Sequence, residues 1–190
     1  MSGKEIEQAI LESSEIIKKS TTLHSPIEKT ISAIVNCIKN NNKVVLFGNG
    51  GSAADAQHIA AELIGRFSLE RKSYPAIALT TDSSILTSLS NDYSFDVVFS
   101  RQCESLIVKG DVVIGISTSG NSTNVENGLI TAKKAGALTI GLLGNNGGKI
   151  KNLVDIPIVV NSSSTPKIQE VHRVIYHIIC ELVEKQLARN

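Results

Sequence analysis

The sequence predicts an α/β fold: a doubly wound, five-stranded parallel sheet flanked by helices and led by a helical pair. Two observations carry this expectation. From Lys43 onward, five short apolar runs (VVLFG, PAIAL, VVIGIS, LTIGLL and IPIVV) are closed by Gly, Ser, Thr or Asp, and they lack the polar alternation of strands with one wet face. The stretches between the runs have room for helices, which parallel strands need as crossovers.

The elements follow in order. Residues 4–20 place Ile6, Ile10 and Ile17 at helical spacing, and Ser25-Pro26 offers an N-cap with proline at N1 before Ile27, Ile31, Ile34 and Ile38. This leading pair, residues 1–42, stands outside the strand-helix alternation and suits packing against another subunit. Residues 43–190 hold the sheet and its helices, and the chain reads as one domain. Helices are expected over Ser52 to Phe67 and Asn121 to Gly136, with a weaker one after Gly148. Pro166 to Leu187 carries Ile168, Val171, Ile175, Ile178, Ile179, Leu182 and Val183 on one broad stripe and should form the longest helix.

The 190 residues are 42% hydrophobic, enough for one buried core. Nineteen Lys plus Arg against eighteen Asp plus Glu leave a net charge of +1, and no like-charge run could track nucleic acid or an anionic membrane. Cys37, Cys103 and Cys180 are odd in number and far apart, so neither a disulfide framework nor a CxxC motif is expected. The start MSGKEIEQ lacks a signal-peptide pattern, and no apolar run has membrane-spanning length. These features point to a cytoplasmic protein with no membrane or nucleic-acid partner.

In open sheets of this class, ligands bind beyond the carboxyl ends of the strands. The first strand ends in Gly48-Asn49-Gly50-Gly51-Ser52. Gly48, Gly50 and Ala53 satisfy a dinucleotide fingerprint, but the acidic partner is missing: the second strand ends at Leu79 and the first acid, Asp82, comes too late. A nucleotide-triphosphate loop is excluded because no Gly-Lys-Ser/Thr follows. The third strand ends in Ser117-Thr118-Ser119-Gly120-Asn121-Ser122, where hydroxyls crowd a helix N-terminus. Free amides and neutral hydroxyl donors make this a phosphate cradle without a lysine. On the helix after the glycine loop, His58 and Glu62 lie four apart and share a face, able to converge on a metal or a substrate. Gln169, His172 and His177 interrupt the last helix, and at least one of them should face a pocket.

Four segments, GNGGSAADAQHIAAELIGRF, Ser90-Asn91-Asp92, GISTSGNSTN and KIQEVHRVIYH, together resemble the phosphoheptose isomerases of the sugar isomerase (SIS) domain class, in order and over nearly the whole chain. The resemblance implies a flavodoxin-like SIS fold and an aldose-ketose isomerase. Its reaction would convert sedoheptulose 7-phosphate into D-glycero-D-manno-heptose 7-phosphate, through an enediolate, for the heptose of a lipopolysaccharide or capsule. It also implies one Zn2+ per site, held by His58, Glu62, Gln169 and His177. Glu62 and His177 match the acid/base pair. Asn49, Gly50, Gly51 and Ser52 match the sugar loop, Asn91 and Asp92 the contacts to sugar hydroxyls, and Ser117, Thr118, Ser119 and Ser122 the phosphate cradle. Gln169 and Glu62 also match substrate contacts, and Arg66 is within plausible reach of the anion. The chain departs from its relatives around Ser163-Ser164-Thr165-Pro166-Lys167. Within the class, some relatives are non-catalytic: replication-initiator-associating proteins or sugar-phosphate sensors. Such binders generally lack the acid/base pair retained here.

Two consequences follow. A shielded carboxylate is a stronger base whereas a bound cation weakens it, so Glu62 compromises between its two tasks. Gln169 and His177 are eight residues apart, about 12 Å of axial rise on an unbroken helix, too far for one zinc. VHRVIYH holds no Gly or Pro to break it. The expectation is a homo-oligomer, a tetramer with shared active sites, in which His177 of one chain completes a site belonging mainly to another.

Overall fold

A computed structural model describes residues 3–188. Its five strands, β1 (Val44–Gly48), β2 (Ala76–Ala78), β3 (Val112–Ser117), β4 (Leu138–Gly144) and β5 (Ile156–Val160), are all parallel in the order β2-β1-β3-β4-β5. The helices are α1 (Gly3–Lys19), α2 (His24–Lys39), α3 (Gly51–Ile64), α4 (Ser83–Asp92), α5 (Ser100–Leu106), α6 (Thr123–Lys134) and α7 (Thr165–Ala188). The α/β class and the parallel sheet are as the apolar runs predict.

Both faces of the sheet are covered because successive side chains of the buried strands point to opposite sides. Val44 and Leu46 of β1, with Val112, Ile114 and Ile116 of β3, join a core shared with α2, α3 and α7. Val45, Phe47 and Val113 face a second core containing Phe99, the N-cap of α5, Cys103 of α5, and Val125, Leu129 and Ala132 of α6. Phe47 and Phe99 stack there at 4.8 Å. Gly115 is the point of closest approach: a Cβ would lie 2.7 Å from Leu129 Cδ1, so α6 could not seat against a larger residue.

Several boundaries differ from expectation. The second helix begins at His24, directly from a 3-10 turn over Ser20–Leu23, and Leu23 occupies its cap position without a side-chain hydrogen bond. Ser25 is therefore not the N-cap, and Pro26 sits inside the first turn, where its missing N–H costs nothing. The helix expected to Phe67 stops at Ile64, before Gly65. Only a 3-10 turn, Ile150–Asn152, forms after Gly148. Helices α4 and α5 were not anticipated, since SSILTSLSND is largely polar. The local signal for α4 was Asp82, whose carboxylate accepts from the Ile85 amide at 2.9 Å as an N-cap. The last helix is indeed the longest, 24 residues without a break.

The pairing of Gly48 with Ile116 brings the ends of β1 and β3 side by side. From there α3 packs on one face of the sheet and α6 on the other. This is the switch point at which doubly wound sheets open a ligand crevice. No described helix is long and apolar enough to cross a membrane.

Candidate active site

The glycine loop is shaped by contact. Gly50 takes φ +55°, a left-handed conformation that glycine adopts freely, and stands at the N-cap of α3. A Cβ on Gly48 would lie 2.9 Å from the Ile116 carbonyl oxygen, and one on Gly51 would lie 2.3 Å from Gln169 Nε2. The first turn of α7 thus rests on the loop, with the Gln169 amide against Gly51. Ser52 is buried, and its amide donates to the Asn49 carbonyl at 3.0 Å. The Asn49 side chain is engaged with Asn124 of α6: each amide donates to the other's oxygen at 2.9 Å.

At the end of β3 three of the four expected hydroxyls, those of Ser117, Ser119 and Ser122, gather. Ser117 Oγ lies 2.9 Å from Ser122 Oγ and 3.4 Å from Ser119 Oγ, and it accepts from the Gly120 amide at 3.1 Å. Ser122 is the cap residue of α6 yet makes no side-chain cap bond; its hydroxyl faces Ser117 instead. Three hydroxyl donors therefore stand before a helix N-terminus, an arrangement suited to a phosphate. Thr118 takes part through its carbonyl, which accepts from Asn145 Nδ2 at 3.2 Å.

His58 and Glu62 sit one turn apart on α3, with His58 Nε2 3.0 Å from Glu62 Oε1. His177 of α7 joins them: one donor atom from each of His58, Glu62 and His177 lies within 4.8 Å of the others. Two imidazoles and a carboxylate are a donor set that fits zinc. Burial, then the neighbouring His58, lowers the pKa of His177, so near neutral pH its ring is available to bind a cation or take a proton. The Phe67 ring covers it at 5.9 Å and the His58 ring lies edge-on at 5.2 Å.

The structure places the ligands differently from expectation in one respect. His58, Glu62 and His177 converge within a single chain, so His177 does not need to come from a neighbour. Gln169 is the residue set apart, two turns up an unbroken α7 and against Gly51. Nor do all the predicted residues assemble. Asn91 and Asp92 end the exposed α4, where Asn91 Nδ2 donates to Asp92 Oδ1 at 2.8 Å. Arg66 lies beyond α3 and pairs with Glu70 in solvent at 3.6 Å. His172 is a core residue: wholly buried, Nε2 3.1 Å from the Leu143 carbonyl, its pKa pushed down to about 4 by burial.

Sequence reasoning missed the groups that hold this site. Tyr176, buried on α7, has its hydroxyl 3.2 Å from His58 Nδ1 and 3.3 Å from Asp55 Oδ1. Burial, aided by Asp55, pushes its phenol up to about 12, so the hydroxyl keeps its proton. Arg71 caps the end of α3, donating to the carbonyls of Glu62 at 2.8 Å and Leu63 at 2.9 Å, and its Nε donates to Glu184 at 3.0 Å. Glu184, buried on α7, also accepts from the amides of Phe67, Ser68 and Leu69 at 2.8 Å each. Burial alone would raise its pKa, but these amides and the Ser68 hydroxyl bring it down to about 2. Arg71 and Glu184 are 113 residues apart, and no local pattern joins them.

Comparison with known proteins identifies the family. The sequence profile of the SIS domain matches residues 10–144. The phosphoheptose isomerase of Aliarcobacter butzleri is 52% identical over 183 residues, 96% of this chain and 97% of that protein. The solved phosphoheptose isomerase of Neisseria gonorrhoeae superposes with a TM-score of 0.91 at 38% identity, covering 96% of this chain and 98% of that one. That of Francisella tularensis gives 0.93 at 32%, covering 97% and 100%. On sequence and fold alike, the chain belongs to the SIS domain family, among its phosphoheptose isomerases.

Proposed function

We propose that this phosphosugar isomerase interconverts sedoheptulose 7-phosphate and D-glycero-D-manno-heptose 7-phosphate through an enediolate, supplying heptose for a bacterial surface polysaccharide. The observation that carries the reading is the meeting of Glu62 and His177, two groups able to move protons, beside His58.

Moving a carbonyl between C2 and C1 requires a base to take a carbon-bound proton and an acid/base to shift protons between the two oxygens. Glu62 serves as the base and His177 as the second group. The hydroxyls of Ser117, Ser119 and Ser122, with the Thr118 segment, hold the phosphate, and that remote binding fixes the reacting carbons against Glu62. Asn49, Gly50, Gly51, Ser52 and Gln169 contact the sugar, whereas Asn91 and Asp92, at the exposed end of α4, are left out of this reading. His58, Glu62 and His177, with Gln169 as fourth ligand, would hold a zinc ion, which would supply Lewis-acid polarisation of the substrate oxygens.

The spacing of Gln169 and His177 on an unbroken α7, about 12 Å, supports a homotetramer in which Gln169 reaches the site of another chain. Helix α1 buries none of its residues and leaves Ile6, Ile10 and Leu11 exposed, which suits such an assembly. Three buried free thiols, Cys37, Cys103 and Cys180, suit a reducing cytoplasm. Incubation of zinc-loaded protein with sedoheptulose 7-phosphate should yield the aldoheptose phosphate. Tight binding without product would assign the chain to the non-catalytic binders instead.

A further inference from the structure

Asp55, Tyr176 and His58 form a chain of hydrogen-bonding groups that ends on the reactive trio. Asp55 is 2% exposed and Tyr176 1%. The Tyr176 hydroxyl stands 3.2 Å from His58 Nδ1 and 3.3 Å from Asp55 Oδ1, and Arg173 Nη2 donates to the same Asp55 oxygen at 3.2 Å. On its other side His58 Nε2 meets Glu62 at 3.0 Å. A carboxylate only accepts, and a neutral imidazole carries one proton, so without a cation that proton belongs on Nε2, facing Glu62. Nδ1 is then bare and must accept. The group placed to donate is the Tyr176 hydroxyl.

We propose that Tyr176 is a positioning residue that serves His58 in both tautomers, its hydroxyl donating to Nδ1 in the metal-free protein and turning to donate to Asp55 once a cation occupies Nε2. The inference rests on reading His58, Glu62 and His177 as cation ligands. When the cation takes the Nε2 lone pair, the Nε2 proton leaves to solvent and Nδ1 takes one up, so the ring stays neutral. Nδ1–H then donates to the Tyr176 oxygen, whose own proton points to Asp55. Each ring nitrogen keeps a partner in both states, and the ring plane is held while the ligand atom changes occupancy. Phenylalanine at this position would preserve the edge-on packing against His58 and His177 but leave Nδ1 without its partner. Outer partners of this kind orient a metal-bound histidine and fix its tautomer.

The test compares the parent with Tyr176→Phe and Asp55→Asn. Zinc affinity is measured by chelator competition, and the His58 tautomer by long-range proton–nitrogen NMR. The chain has four histidines, and His58→Gln identifies the signal. The parent should carry its His58 proton on Nε2 when metal-free and on Nδ1 when zinc-loaded. Tyr176→Phe should bind zinc roughly 10- to 100-fold more weakly. Asp55→Asn, which still accepts from the hydroxyl, should fall between. Zinc affinity of Tyr176→Phe within twofold of the parent would overturn the inference and leave the metal site standing. A metal-free parent whose His58 proton sits on Nδ1 would do the same, since Tyr176 would then not be donating to that nitrogen, and that measurement does not depend on the variants folding. A parent that takes up no zinc would overturn both readings.

Discussion

Asn49 and Asn124 exchange two hydrogen bonds of 2.9 Å across 75 residues of sequence, tying the turn after β1 to the first turn of α6. Asn124 is 3% exposed, and its oxygen also accepts from the Val125 amide at 2.9 Å. The glycine turn after β1 and the hydroxyl-rich turn before α6 are therefore tied to each other by two amides. Substituting Asn124→Ala removes both hydrogen bonds of the half-buried Asn49 amide and should cost about 1 kcal/mol of stability per bond lost. Because the distance between phosphate and reacting carbons loosens, KM should rise and kcat should fall. Thermal unfolding and steady-state kinetics on one preparation check this. An Asn124→Ala enzyme with parental kinetics would mean that the loops are held by other contacts.

The cradle itself is tested by Ser119→Ala with Ser122→Ala. At about 1 kcal/mol per neutral hydrogen bond, the double variant should lose tens-fold in KM with a smaller change in kcat. Parental affinity for the phosphosugar would place the anion elsewhere.

Glu62→Gln keeps the size of the side chain and removes its basicity. Substrate should bind, while kcat falls by roughly 10² to 10⁴, the scale of losing a general base. Metal content must be measured alongside, since the same side chain faces His58. In deuterated water the parent should incorporate solvent hydrogen at the reacting carbon and the zinc-loaded variant should not. Near-parental turnover in that variant would transfer the base role to His177.

Sharing of sites between chains is open to complementation. If Gln169 serves the site of another chain, Glu62→Gln and Gln169→Ala proteins, each inactive, should regain activity when co-refolded, with about a quarter of sites intact under random pairing in a closed symmetric assembly. No recovery, in an oligomer shown by sedimentation to be mixed, would confine each site to one chain.

Acid stability should fall in two windows. His172 is depressed from 6.5 to about 4, so the unfolded chain takes its proton first, and stability declines as pH falls from about 6.5 towards 4. Glu184 is depressed from 4.5 to about 2, so its contribution, about 3 kcal/mol, is whole above pH 4.5 and is lost as pH falls towards 2. Glu184→Gln should lower stability at neutral pH, because it weakens the amide cluster and leaves Arg71 without its buried partner, and it should flatten the lower window. Denaturant unfolding between pH 2 and 8 reads both. A variant with an unchanged acid slope would remove Glu184 from this role.

The sequence by itself determined the layers, the strand runs and the two loops that matter. Buried parallel strands must be continuously apolar, loops that hold anions need glycine and hydroxyls at fixed local spacing, and His58 and Glu62 share a helix face by periodicity alone. Only the tertiary structure decided that His177 rather than Gln169 reaches that pair, because their distance depends on how α7 lies across α3 and not on spacing along either helix. The same holds for Asn124, Tyr176, Arg71 and Glu184, whose partners are 75 to 121 residues away. A buried polar side chain is specified by the group it must satisfy, and chain folding, not local sequence, brings that group within reach.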